Sequence, residues 1–145
     1  MNDQHYVYIT NSEDSINHPN NIPHDFTVSL SPPIYLDPNQ DWSVAVTEIE
    51  LMPGMNQTFC LCIDLCEGVH TGGKQLPLLR KLYPLTGGVK QLFTFNWPYY
   101  VKVKQKEIDK IRVYISDEQG VIMPLSDLTL KYTLHLRRYS PWHSS

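Results

Sequence analysis

No lysine or arginine occurs in the first 73 residues of this 145-residue chain. Nor does any apolar run approach the ~18 residues a membrane-spanning helix needs, so no membrane insertion is expected. Met1 to Thr10 lacks both a basic leader and an apolar stretch, so no secretory signal is expected there. Cysteine is scarce: Cys60, Cys62 and Cys66 are the only three, an odd number that argues for free thiols in a reducing compartment. The sequon Asn56-Gln57-Thr58 then reads as a chance match. Collagen-like, coiled-coil and fully disordered classes fail on composition. The length is that of one domain large enough to bury a core without disulfides or metals.

What is present is unevenly placed. Residues 1–73 hold ten Asp/Glu, and residues 74–145 hold all twelve Lys/Arg with five Asp/Glu, so the halves carry −10 and +7. Such asymmetry can mark a nucleic-acid tail. Here the basic residues are spread singly through strand-like segments, so no specific nucleic acid is expected. Two halves that interleave in one sheet would neutralise each other.

Strict alternation dominates the pattern. Phe26, Val28 and Leu30 alternate with polar residues, as do Phe59, Leu61, Ile63 and Leu65, then Tyr99, Val101 and Val103, and Ile111, Val113 and Ile115. The clearest run sets Leu128, Leu130, Tyr132, Leu134 and Leu136 against Thr129, Lys131, Thr133, His135 and Arg137. Period two with one apolar face predicts half-buried antiparallel strands. Trp42–Leu51, Leu78–Tyr83 and Gln91–Phe95 bring the number to eight, with Tyr6–Ile9 as a further candidate. Asn11–His24 reads as a polar surface loop. Ser31-Pro32-Pro33, Asp37-Pro38-Asn39, Pro53-Gly54, Thr71-Gly72-Gly73, Thr86-Gly87-Gly88, Trp97-Pro98 and Asp117 to Gly120 read as turns. The only helical expectation is a turn or two around Gln105–Lys110. The chain is all-β: a sandwich, barrel or jelly roll.

Candidate chemistry is thin. Gly68 to Lys74 has the spacing of a phosphate-binding loop, but Gln75 stands where a hydroxyl should bind Mg²⁺, so a glycine-rich connection is the better reading. Cys60, Cys62, Cys66 and His70 are soft ligands, yet on one extended strand the three thiols span roughly 20 Å, too far for one ion. His135 lies mid-strand on the polar face and reads as a surface or interface histidine. Glu48 and Glu50 share one side of a strand, as a glycosidase pair would, with nothing else pointing to sugar hydrolysis. Glu48 continues the face of Trp42, Val44 and Val46, so without a bulge it points inward and needs a partner. The expected partner is Arg80, Arg112 or Arg137. No residue is assigned a catalytic, cofactor-binding or metal role, and no enzymatic activity is expected.

Two blocks resemble one family. The first is Asn20-Asn21, Phe26, Leu30, Ile34, Leu36, Trp42-Ser43-Val44-Ala45-Val46, Glu48-Ile49 and Pro53. The second is Tyr100, Ile108, Ile111-Arg112-Val113-Tyr114-Ile115, Asp117, Gly120, Pro124 and Leu134-His135-Leu136-Arg137-Arg138. Together they are similar to the penton, or minor capsid, proteins of Polinton (Maverick) elements and adintoviruses, with leucines at 125 and 136 in place of aromatic residues. The resemblance implies a single jelly roll, an eight-stranded antiparallel β-sandwich over residues 1–145, with 1–24 an arm, strand and loop and 139–145 a short tail. It implies homopentamers at capsid five-fold vertices, contact with a double-jelly-roll major capsid protein, and a place in the virion after assembly inside the host cell. In such a fold, acidic first-half strands pair with basic second-half strands.

A second class of function is a β-sandwich binding module for a glycan or peptide, with Trp97, Tyr99, Tyr100 and Trp142 offering stacking faces. It would show exposed aromatics beside acids in a groove. A cupin-type metal enzyme needs histidines converging inside the barrel. His5, His18, His24, His70, His135 and His143 fall mostly in loops or termini.

Overall fold

The computed structural model describes residues 4–11, 20–52, 57–71, 74–83, 90–123 and 129–138, with backbone alone for 69–71 and 74–75. Among these residues the chain forms strands and no helix. In chain order the strands are β1 (Gln4–Thr10), β2 (Asp25–Tyr35), β3 (Trp42–Met52), β4 (Phe59–Ile63), β5 (Val69–Thr71) and β6 (Lys74–Leu76). Then come β7 (Leu78–Leu82), β8 (Gln91–Thr94), β9 (Val101–Lys102), β10 (Glu107–Ser116) and β11 (Thr129–Arg138).

The first sheet runs β1-β11-β3-β8, with β9 also pairing β3, and the second runs β2-β10-β4-β7. All these strand neighbours are antiparallel, and β5–β6 is a separate hairpin. The chain crosses between sheets at successive strands, pairing β1 with β11, β2 with β10, β3 with β8 and β4 with β7. This is the strand order of a jelly roll, a long antiparallel hairpin rolled into two facing sheets. Each strand pairing among the described residues joins a strand from residues 1–73 to one from 74–145. The opposite charges of the two halves therefore meet. Arg112 grips Asp25 with two bonds of 2.9 and 2.8 Å across β10 and β2. Glu50 on β3 lies 3.0 Å from Lys90 and 3.8 Å from Lys131, and Lys102 faces Glu67. Such exposed pairs contribute at most about 1 kcal/mol each, so they orient the strands more than they stabilise them.

The energy lies between the sheets. Val7 and Ile9 of β1, Phe26 and Val28 of β2, Trp42, Val44, Val46, Ile49 and Leu51 of β3, and Leu130, Tyr132, Leu134 and Leu136 of β11 share one core with Ile108, Ile111, Val113 and Ile115 of β10. Leu130, Leu134 and Leu136 are fully buried as the alternation requires, while Leu128 lies outside the described residues.

Three expectations need correction. No helix forms at Gln105–Lys110; β10 begins at Glu107, and an irregularity between Ile108 and Lys110 puts Ile108 and Ile111 on the same inward side. That three-residue spacing is what imitated a helical period. Ser31-Pro32-Pro33 does not end a strand, because β2 continues to Tyr35. The prolines sit on a sheet-edge strand opposite the β10 irregularity, where no ladder N–H is required. Strand Phe59–Leu65 is shorter than expected: β4 stops at Ile63, and the β5–β6 hairpin was not foreseen.

The outward side of the second sheet is covered near β4. Cys60 and Cys62 are fully buried there, with Ser116 3.7 Å from the Cys62 thiol. Residues 117–123 fold back on β10, with the Met123 amide donating to the Ile115 carbonyl at 3.0 Å. A 3.0 Å ion pair between Lys81 and Glu118 ties this turn to β7. Gly120 has φ 86° and abuts Leu76, so close that a β-carbon would lie 2.7 Å from the leucine methyl. Both the backbone angle and the contact demand glycine.

Leu134→Ala should lower stability by about 2–5 kcal/mol in denaturant melts, the range for a buried leucine cavity. Thr133→Ala, one residue away on the outward side, should leave the midpoint nearly unchanged.

Candidate functional site

Among the described residues the outward side of the first sheet is bare by comparison, and strand register sets its side chains in rows. One row reads Thr10, Lys131, Glu50 and Leu92, and the next Tyr8, Thr133, Glu48 and Thr94. In the second row a short threonine lies between two longer side chains. Tyr8 and Glu48 are two strands apart, roughly 10 Å. They form the walls of an open groove of about 360 Å³ with Thr133 at its floor, lined also by Thr10, Glu50 and Lys131. Tyr8 is 73% exposed.

Glu48 faces this groove because β3 carries a bulge. Leu134 pairs with Val46 while Thr133 pairs with Glu48, leaving Thr47 as the extra residue. The Thr47 hydroxyl donates to the Thr133 carbonyl at 3.4 Å. Past the bulge the inward positions become Ile49 and Leu51, and Glu48 turns outward. This corrects the expectation that Glu48 points inward and pairs with an arginine. Arg112 is bound to Asp25, Arg80 lies over the Phe95 ring at 3.8 Å, and Arg137 lies over the Tyr100 ring at 3.5 Å. Glu48 and Glu50 do share a side, as expected, but Glu50 is held by two lysines and Glu48 makes no ion pair among the described residues.

Further along the same face the sheet carries an aromatic cluster around His135. The Tyr100 hydroxyl lies 2.6 Å from His135 Nδ1, and Nε2 lies 2.8 Å from Gln4 Oε1. An amide oxygen only accepts, so Nε2 carries the proton and Tyr100 donates to Nδ1. Tyr6 stacks on the imidazole at 4.5 Å between centroids. His135 thus joins β1, β11 and the segment before β9 in its neutral form. Burial, then the charge of Arg137, pushes its pKa below the ordinary 6.5.

The other candidate sites come apart or lie elsewhere. Cys60 and Cys62 sit on the outward side of β4, whereas Cys66 is past the strand end, bridging to Val103 and joining the main core. Burial pushes the Cys62 thiol up to about 11 and the Cys66 thiol up to about 12, so both are protonated at neutral pH. Among the described residues no group of three or more His, Cys, Asp or Glu could hold a metal ion. The His70 side chain, His18 and His143 lie outside the described residues. Gly68 to Lys74 spans the β5–β6 hairpin, with Thr71 opposite Lys74, and opens no helix. Of the proposed stacking residues, Tyr100 is engaged with His135, Trp97 and Tyr99 are exposed, and Trp142 lies outside the described residues. Tyr8, the groove's aromatic wall, was missed; its signal was the alternation of Tyr6 and Tyr8 in the first strand. No helix among the described residues is long and apolar enough to cross a membrane.

His135 makes stability depend on pH. Its folded pKa is depressed, so the unfolded chain binds the proton more readily. The contribution is complete above pH 6.5 and is lost as pH falls through the lowered value. Thermal melts from pH 7.5 to 5 should show a falling midpoint, and His135→Gln should flatten that fall. An unchanged slope in the variant would remove His135 as its source.

No protein-family model matches the chain, and no curated protein matches it. Among solved structures it is similar to the infectious bursal disease virus Gx strain structure, with TM-score 0.41 and 14% identity over 93% of this chain and 32% of that chain. It is also similar to a mutant VP2 protein of infectious bursal disease virus from derived T=1 particles, with TM-score 0.39 and 14% identity over 92% of this chain and 31% of that one. The chain spans about a third of the length of each. Neither likeness extends to function at that similarity.

Proposed function

We propose that the protein is a structural capsid component of the virion, a non-enzymatic penton that forms homopentamers at five-fold vertices. The observation that carries this reading is the complete jelly-roll strand order, β1-β11-β3-β8 facing β2-β10-β4-β7. The resemblance to Polinton and adintovirus penton proteins supports it, supplies the number five, and names a double-jelly-roll major capsid protein as partner. The whole of residues 1–145 is the unit of assembly in this reading.

A closed ring needs a heterologous contact, one patch docking on a different patch of the next copy. Lys104 and Lys110, from the basic half, are exposed and make no ion pair among the described residues. Such charges favour orientation over affinity and are screened over about 10 Å at 0.1 M salt.

Light scattering and electron microscopy across concentration and salt should find five-membered rings, alone or with the major capsid partner, that loosen at high salt. A protein that stays monomeric or dimeric and never joins a capsid vertex would overturn the proposal.

A further inference from the structure

We infer that the groove between Tyr8 and Glu48 on the first sheet is a binding site for a neutral saccharide, a function separate from assembly. The two sheets differ in what covers them. Near β4 the second is closed by the 117–123 turn meeting Leu76, whereas around the groove the first exposes Tyr8, Leu92 and Met52 on its outward side. Tyr8 and Leu92 flank a polar channel rather than a continuous apolar patch.

The groove's chemistry selects the ligand. A sugar ring has an apolar C–H face and a rim of hydroxyls. The exposed Tyr8 ring offers a flat surface for the former, and aromatic contacts of this kind combine apolar area with a polar tip. Opposite it, the Glu48 carboxylate has two oxygens and no ion-pair partner among the described residues, so it can accept from two adjacent hydroxyls. The Thr133 hydroxyl at the floor both donates and accepts. Glu50 carries both Lys90 and Lys131, so these lysines and the two glutamates together bear no net charge. A balanced site of this kind offers no net attraction to phosphates or acidic sugars and suits a neutral ligand. A threonine floor with carboxylate lining is too polar for an apolar peptide. The volume, about 360 Å³, falls within the ordinary range for small-ligand sites. Because β1, β3 and β11 carry the walls and floor, the site is held by paired strands and needs no loop closure.

The test uses the full chain. Galactose-, glucose-, mannose- and N-acetylglucosamine-terminated oligosaccharides are titrated while amide resonances are followed, beside sialylated oligosaccharides and an oligolysine peptide. Saturable shifts at Tyr8, Glu48 and Thr133 with at least one neutral sugar are expected. Tyr8→Ala should weaken that binding about tenfold, the loss of one stacked aromatic face. Glu48→Gln should weaken it too, and Tyr83→Ala, an exposed tyrosine on another part of the surface, should not. Both groove side chains are solvent-facing, so the variants should melt like the parent. The inference is overturned if no neutral sugar shifts these residues, if only oligolysine or sialylated sugars do, or if Tyr8→Ala binds as tightly as the parent.

Discussion

Each half of the chain depends on the other for its strand partners, and the rest of the structure follows from that constraint. Gln4 pairs with Arg137 and Phe59 with Leu82, so the pairing closes from the outside of the sequence toward the β5–β6 hairpin. A fold made of such distant pairings must close long loops before it gains sheet contacts. Once the sheets face each other, burial of Leu134, Ile111, Phe26 and their neighbours supplies the stability. The ion pairs then serve register, as Arg112 does by clamping Asp25 across β10 and β2.

The β3 bulge links the fold to its surface chemistry. A side-chain period of two means that one extra residue sends every later side chain to the opposite face. At Thr47 this keeps Ile49 and Leu51 in the core while turning Glu48 to solvent. Without the bulge a carboxylate would enter an apolar interior, with a large desolvation penalty. The same device near Ile108 and Lys110 keeps both Ile108 and Ile111 inside.

Alternation made the architecture legible because each strand has one buried and one exposed side. Leu130 to Leu136 and Ile111 to Ile115 could be assigned to the core from sequence for that reason. The same rule misplaced Glu48 and suggested a helix near Ile108, since a bulge leaves no mark in composition. Pro32-Pro33 read as a turn because prolines end most strands, though they fit an edge strand at an irregular register. The full burial of Cys60 and Cys62 depends on the turn that covers them, which is held by contacts from β6 and β10. The groove was not legible at all: its walls come from Tyr8 and Glu48, and its floor from Thr133. Only the paired strands bring those three residues side by side.

Dividing the chain at its central hairpin tests the dependence of each half on the other. Residues 1–73 and 74–145 would be produced separately and examined by circular dichroism alone and after mixing. Each piece alone should lack a cooperative melt, and the equimolar mixture should regain sheet signal and melt as a one-to-one complex. A cooperative fold in either piece by itself would contradict the account.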